Sequence, residues 1–109
     1  MKIAVASEKG EVTKHFGFCE TFDIFVVEGM EILNVQSIPN PGHRPGFLPK
    51  FLKNKGVDVI ISGGMGSNAA NIFKANGIDT VIGVTGNNYG VVEDYIKGNL
   101  QSSIEPCNK

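Results

Sequence analysis

The sequence predicts an α/β domain: a mixed five-stranded sheet with helices on both faces, in the order β-β-β-α-β-α-β-α. Three observations carry this prediction. In the second half of the chain, short runs rich in Val and Ile alternate with helix-period patterns, the mark of parallel strands joined by crossover helices. In the first half, the turn signal Glu28-Gly29-Met30-Glu31 joins two strand-like runs, the mark of an antiparallel hairpin. The chain has 109 residues, enough for one core and one domain.

Lys2 to Ser7 reads as a buried strand, with Ile3 and Val5 alternating with small residues. Glu8 to Glu20 has mixed polarity and no clean period. It reads as a loop, long enough to ask for a functional reason. Thr21 to Glu28 and Ile32 to Ile38 form the hairpin. Asn40 to Gly46 is a second irregular loop, because Pro41 and Pro45 bias their predecessors away from helix. Phe47 to Lys55 carries Phe47, Leu48, Phe51 and Leu52 at helical spacing, with Pro49 tolerated in the first turn and Gly56 as the cap. Val57 to Ser62 is a strand. Ser67 to Asn76 is a helix with Ala69, Ala70, Ile72 and Phe73 inward, stopped by Gly77. Asp79 to Val84 is the last strand. Thr85 to Asn88 is a turn that offers N-caps, and Asn88 to Lys97 is a helix ended by Gly98. Residues 1–100 make the domain, and residues 101–109 read as a partly mobile tail.

Composition narrows the function. The net charge of -1 gives no electrostatic footprint for nucleic acid. The opening apolar stretch is too short for a secretory signal, and no run approaches the roughly 20 apolar residues of a membrane span. The expectation is a soluble, cytoplasmic protein, a monomer or weak homo-oligomer, without nucleic-acid or membrane partners. Cys19 and Cys107 read as thiols, since a small secreted scaffold carries more cysteines.

The chemistry concentrates in loops that such a sheet brings to one edge: those after the first, fourth and fifth strands. In Ile60-Ile61-Ser62-Gly63-Gly64-Met65-Gly66-Ser67, a strand runs through glycines into a helix. A junction of this kind leaves unpaired backbone N–H groups at the carboxyl edge, where open α/β sheets receive anionic ligands. Gly63, Gly64, Met65, Gly66 and Ser67 are therefore the candidate cofactor-binding residues. The bland alternative is tight strand–helix packing, with Met65 filling a core gap. No Lys-Ser/Thr follows the glycines and no G-x-G-x-x-G spacing occurs, so neither nucleotide hydrolysis nor a dinucleotide site is supported.

His15, Cys19 and His43 are the candidate metal ligands, because imidazole and thiolate suit iron–sulfur and other soft-metal chemistry. His15 and Cys19 are four apart, a spacing that a helical turn would place on one side. The alternatives are a solvated His15 beside a small buried Cys19, and a solvated His43. No C-x-x-C or H-x-x-x-H occurs, which argues against a closed zinc site. Asp58 and Asp79 start strands at the opposite end of the sheet. A Cys19–His15 nucleophile pair lacks a third, orienting group. No catalytic residue is assigned, and no enzyme is expected.

Lys2-Ile3-Ala4-Val5-Ala6-Ser7, His15-Phe16-Gly17-x-Cys19-x-x-Phe22, Gly56-Val57-Asp58-Val59-Ile60-Ile61-x-Gly63-Gly64-Met65-Gly66 and Tyr95-Ile96-x-Gly98, in this order and spacing, resemble the dinitrogenase iron–molybdenum cofactor biosynthesis family. Asn40-Pro41-Gly42-His43-x-Pro45-Gly46 is similar to small stand-alone members. The resemblance implies a ribonuclease-H-like three-layer α/β/α fold. It also implies non-catalytic carriage of an iron–sulfur-based metallocluster, such as the iron–molybdenum cofactor, its precursor or a related cluster. The partners implied are a cluster-assembly ATPase or a client metalloenzyme. Lys14 or Arg44 would add attraction for an anionic cluster. The rival reading is an interaction module that docks on a cluster-assembly partner without binding metal.

Overall fold

The computed structural model describes residues 1–42 and 46–106. His43 and Arg44, and with them the reading of His43 as a ligand, lie outside the described residues, as does Cys107. Six strands and three helices follow in the order β1 (Lys2–Glu8), β2 (Glu11–Val12), β3 (Thr21–Glu28), β4 (Glu31–Pro39), α1 (Phe47–Asn54), β5 (Val59–Ile61), α2 (Ser67–Ala75), β6 (Asp79–Val81) and α3 (Asn88–Ile96). A single 3₁₀ turn occupies Phe16–Phe18.

The strands form one mixed sheet in the order β4-β3-β1-β5-β6, with β2 paired to β1. β1 is antiparallel to β2 and β3 and parallel to β5, and β5 is parallel to β6. The hairpin and the parallel second half are thus as expected. The strand count is corrected from five to six. Lys9 and Gly10, at φ 53° and 81°, turn the chain so that Ser7 and Glu8 pair with Val12 and Glu11. Two positive φ values make a two-residue hairpin turn. A two-residue strand is too short to show alternation, and Lys9 is a poor advertisement for left-handed backbone.

Alternation along the strands splits the core into two layers. On one face Ala4, Ala6, Phe22, Ile24 and Ile60 pack with Leu48 and Leu52 of α1 and with Ala70 and Phe73 of α2. On the other, Ile3, Val5, Phe25, Val59 and Ile61 pack with Val91 and Val92 of α3. Helices therefore cover both faces. The small side chains of Ala4 and Ala6 leave room for a ring cluster, in which Phe16 meets Phe73 edge-on at 5.4 Å and Phe22 at 5.8 Å. The three helices stop at Gly56, Gly77 and Gly98, all in the left-handed region, as expected.

β5 and β6 are shorter than their apolar runs. The β6 run continues as a different pairing: Ser102 Oγ accepts the Ile82 N–H at 3.0 Å, and the Ser103 N–H donates to the Ile82 carbonyl at 2.9 Å. The start of the tail is thus tied to the edge of the sheet. Among the described residues no helix is long and apolar enough to cross a membrane.

Candidate functional site

β1, β5 and β6 run parallel, so the segments that follow them leave at the same rim of the sheet. Hydrogen bonds then join those segments. The Gly63 N–H donates to the Thr13 carbonyl at 3.0 Å and the Gly64 N–H to the Lys14 carbonyl at 2.6 Å. The Phe16 N–H returns to the Gly64 carbonyl at 2.8 Å, which makes a parallel bridge between His15 and Gly64. The Val12 N–H donates to the Gly86 carbonyl at 2.9 Å, and the Asn88 N–H to the Gly10 carbonyl at 3.1 Å. The convergence of the three loops expected from the sequence is present.

The reason for Gly63 is steric. A Cβ there would collide with the Thr13 carbonyl oxygen and lie 2.7 Å from that of Lys14. At Gly64 a Cβ would lie 3.2 Å from the Lys14 carbonyl oxygen and 3.7 Å from His15 Nδ1. One expectation is corrected here. The N–H groups of Gly63 and Gly64 are not open to a ligand, because the 13–16 segment occupies them. What stays open is the next stretch. Gly66 is exposed and has no neighbour within 4 Å of its would-be Cβ. α2 begins at Ser67 with no side-chain cap, so its first amides have no intrahelical partner. Those amides carry the positive end of the helix dipole.

His15 is exposed on this rim, fixed by its bridge to Gly64. Cys19 is not beside it on the surface. It is 4% exposed and packs in the core with Phe16 and Met65. The helical-turn reading of the spacing fails because the turn is 3₁₀. With three residues per turn, positions i and i+3 eclipse, and i+4 moves on around the axis. Asn40 Nδ2 donates to the Cys19 carbonyl at 2.9 Å and to Sγ at 3.6 Å. Burial pushes the thiol up from 9.0 to about 12, against hydrogen bonds from the backbone at Ser7 and Cys19 and from Asn40 that favour the thiolate. Burial thus favours the protonated thiol over the thiolate that nucleophilic attack needs. Met65, 2% exposed, is a core residue, and Ser67 is half-buried.

Several features of the rim gave no clear sequence signal. Phe18 is 78% exposed. It joins Lys9, Lys14 and His15, together with Glu8 and Glu11, around a depression of about 380 Å³. Beneath the α3 start lies a buried polar network. Asn88 Nδ2 donates to Ser7 Oγ at 2.7 Å and to Asp23 Oδ2 at 2.6 Å. Asn40 Oδ1 also accepts the Gly42 N–H at 2.9 Å, so together with its Nδ2 bond to the Cys19 carbonyl Asn40 ties the two irregular loops to each other. Asn40-Pro41-Gly42 could have indicated such an Asx-type turn. The pairing of Asn88 with Ser7, 81 positions away, leaves no local trace.

Among the described residues no group of three or more His, Cys, Asp or Glu side chains could hold a metal ion. Among the described residues the rim offers one exposed imidazole, open helix-start amides and nearby lysines. That set suits loose retention of a polynuclear anion better than chelation of a bare cation, which usually takes three or four protein ligands.

Comparison with known proteins agrees with this architecture. The crystal structure of PH0822 is 31% identical, with 96% of each chain covered and a TM-score of 0.88. The apo form of the orange protein from Desulfovibrio gigas, 22% identical over 99% of this chain and 96% of that one, has a TM-score of 0.80 and shares the fold. The uncharacterized protein MJ0580 of Methanocaldococcus jannaschii is 32% identical over 106 residues, 93% of this chain and 90% of that protein. The family described as dinitrogenase iron-molybdenum cofactor matches residues 1–98, as the motif order had indicated, and the chain belongs to that family.

Proposed function

We propose that the chain binds an iron–sulfur-based metallocluster as cargo at the carboxyl rim and carries it to a client metalloenzyme, without catalysing a reaction. The cargo is the iron–molybdenum cofactor, its precursor or a related cluster, and a cluster-assembly ATPase is the partner class that would load it. Family membership supports the cargo class. The observation that carries the site is the bridge between His15 and Gly64, which ties the backbone of an exposed histidine to the segment leading into α2. In this reading His15 supplies the direct bond. Gly64, Gly66 and Ser67 form the cradle, and Lys14 adds electrostatic attraction. Gly63 and Met65 shape the cradle from behind. Cys19 supports the 3₁₀ turn from within, and His43 is the second anchor. A carrier must release its cargo, and one or two protein bonds can be broken at an acceptable rate where four cannot.

The test is anaerobic titration with tetrathiomolybdate and with a synthetic iron–sulfur cluster, followed by absorption. Loss of a direct ligand is expected to weaken binding by at least about tenfold in His15→Ala, the lower end of what even outer-shell changes cost at metal sites. Cys19→Ala is expected to bind like the parent. Equal binding by His15→Ala and the parent chain would contradict the ligand assignment.

A further inference from the structure

A second surface lies at the β4 edge, on the sheet face that α3 covers. Edge strand β4 and the beginning of α3 enclose a groove of about 520 Å³ lined by Met30, Ile32, Leu33, Val35 and Tyr89. Met30, Leu33 and Tyr89 are 68%, 55% and 54% exposed, an unusual grouping of large apolar side chains for one spot on a small domain. Tyr89 packs edge-on to Phe25 at 5.1 Å. The charged residues in the groove wall are Glu31 and Glu93, both acids. Tyr89 and Glu93 are one turn apart on α3 and share a face.

α3 packs on the face of the sheet opposite to α2, whose start belongs to the cluster site, and this sets the groove apart from it. Asn34 pairs with Val26, and Val26 with Lys2, so this part of β4 lies beside the amino end of β1. The rim lies at the carboxyl end. The ladder also skips a residue here: Val26 faces Asn34 and Val27 faces Ile32, leaving Leu33 as a bulge. A bulge on an edge strand interrupts any long, regular addition of another strand. A second copy of this chain is disfavoured for another reason. A two-fold contact would bring the same acidic wall against itself, and like charges facing across an interface are costly.

We propose that this groove docks a segment of a partner protein that inserts one apolar side chain beside Leu33 and Tyr89 and sets flanking Lys or Arg residues against Glu31 and Glu93. The inference is independent of the cluster site, and a partner held here leaves His15 and the start of α2 free.

The experiment is an amide NMR titration of the full chain with two pentapeptides, KVLVK and its acidic counterpart EVLVE. KVLVK is expected to shift the amides of Met30 to Val35 and Tyr89 to Glu93, and EVLVE to leave them in place. Both acids are on the surface, so the double variant Glu31→Lys with Glu93→Lys should keep the parent spectrum elsewhere. It should bind KVLVK about tenfold more weakly, the combined effect of two surface ion pairs. No shift at the groove with KVLVK, or equal shifts with EVLVE, would overturn the proposal. Shifts of the same amides on raising protein concentration without peptide would overturn it in favour of self-association.

Discussion

Gly63 and Gly66 stand three residues apart under opposite constraints. The missing side chain of Gly63 lets the Thr13–Lys14 carbonyls approach, whereas Gly66 faces open space with an ordinary φ of -70°. Gly63→Ala is expected to cost about 1–3 kcal/mol, the usual range for forced overpacking. Gly66→Ala is expected to cost less, about 0.5 kcal/mol, because no atom crowds the site but Ala is a poorer N-cap for α2 than Gly. Denaturant midpoints of the two variants check both. Cys19 gives a pH prediction. Its folded-state value, raised to about 12, means the buried thiol favours folding fully below the unfolded value near 9. That contribution is lost as pH rises from there toward 12, since the unfolded thiol ionises first. Between about pH 8 and pH 10 this group should remove about 1 kcal/mol, a loss absent from Cys19→Ala. Residue types and their loops were legible in the sequence. Whether Gly63 served a ligand or a neighbouring carbonyl, and whether Cys19 faced out or in, was not. Those answers depend on the long-range pairing of residues 13–16 with 63–64.

At the scale of elements, α3 is anchored at its start by two adjacent asparagines with different duties. Asn87 is the N-cap, its Oδ1 accepting the Tyr89 and Gly90 N–H groups at 3.0 and 3.3 Å. Asn88, 3% exposed, ties the helix to Ser7 and Asp23. Asn87→Ala is expected to cost about 1 kcal/mol through the lost cap. Asn88→Ala is expected to cost more, about 2–3 kcal/mol, because it leaves buried partners unpaired. Thermal unfolding of both variants gives the order. The capping role of the Thr85–Asn88 turn could be read from its residue types, as could every helix and the hairpin, because each is specified within a few positions. β2 and the 3₁₀ turn were hidden inside the first loop. Short elements earn their definition from tertiary pairing, and neither has enough residues to show a period.

For the whole molecule, the decisive fact is geometric. Three parallel strands deliver three loops to one rim, and backbone pairing welds those loops into a single surface. This convergence was implicit in the alternation of strands and helices. The division of the core into two layers was implicit in the alternation along β1 and β5. The ties from Ser102 and Ser103 to the β6 edge were not, since a polar tail beside a sheet edge carries no periodic signal. The account stands on cargo meeting the rim at His15 and the start of α2. Anaerobic loading with tetrathiomolybdate, followed amide by amide in NMR spectra, tests this most directly. The account predicts perturbations centred on His15, Gly64 and Gly66 to Asn68 that collapse in His15→Ala. Perturbations centred instead on Lys2, Gly56 and Asp79 at the opposite end of the sheet, or unchanged by His15→Ala, would contradict it.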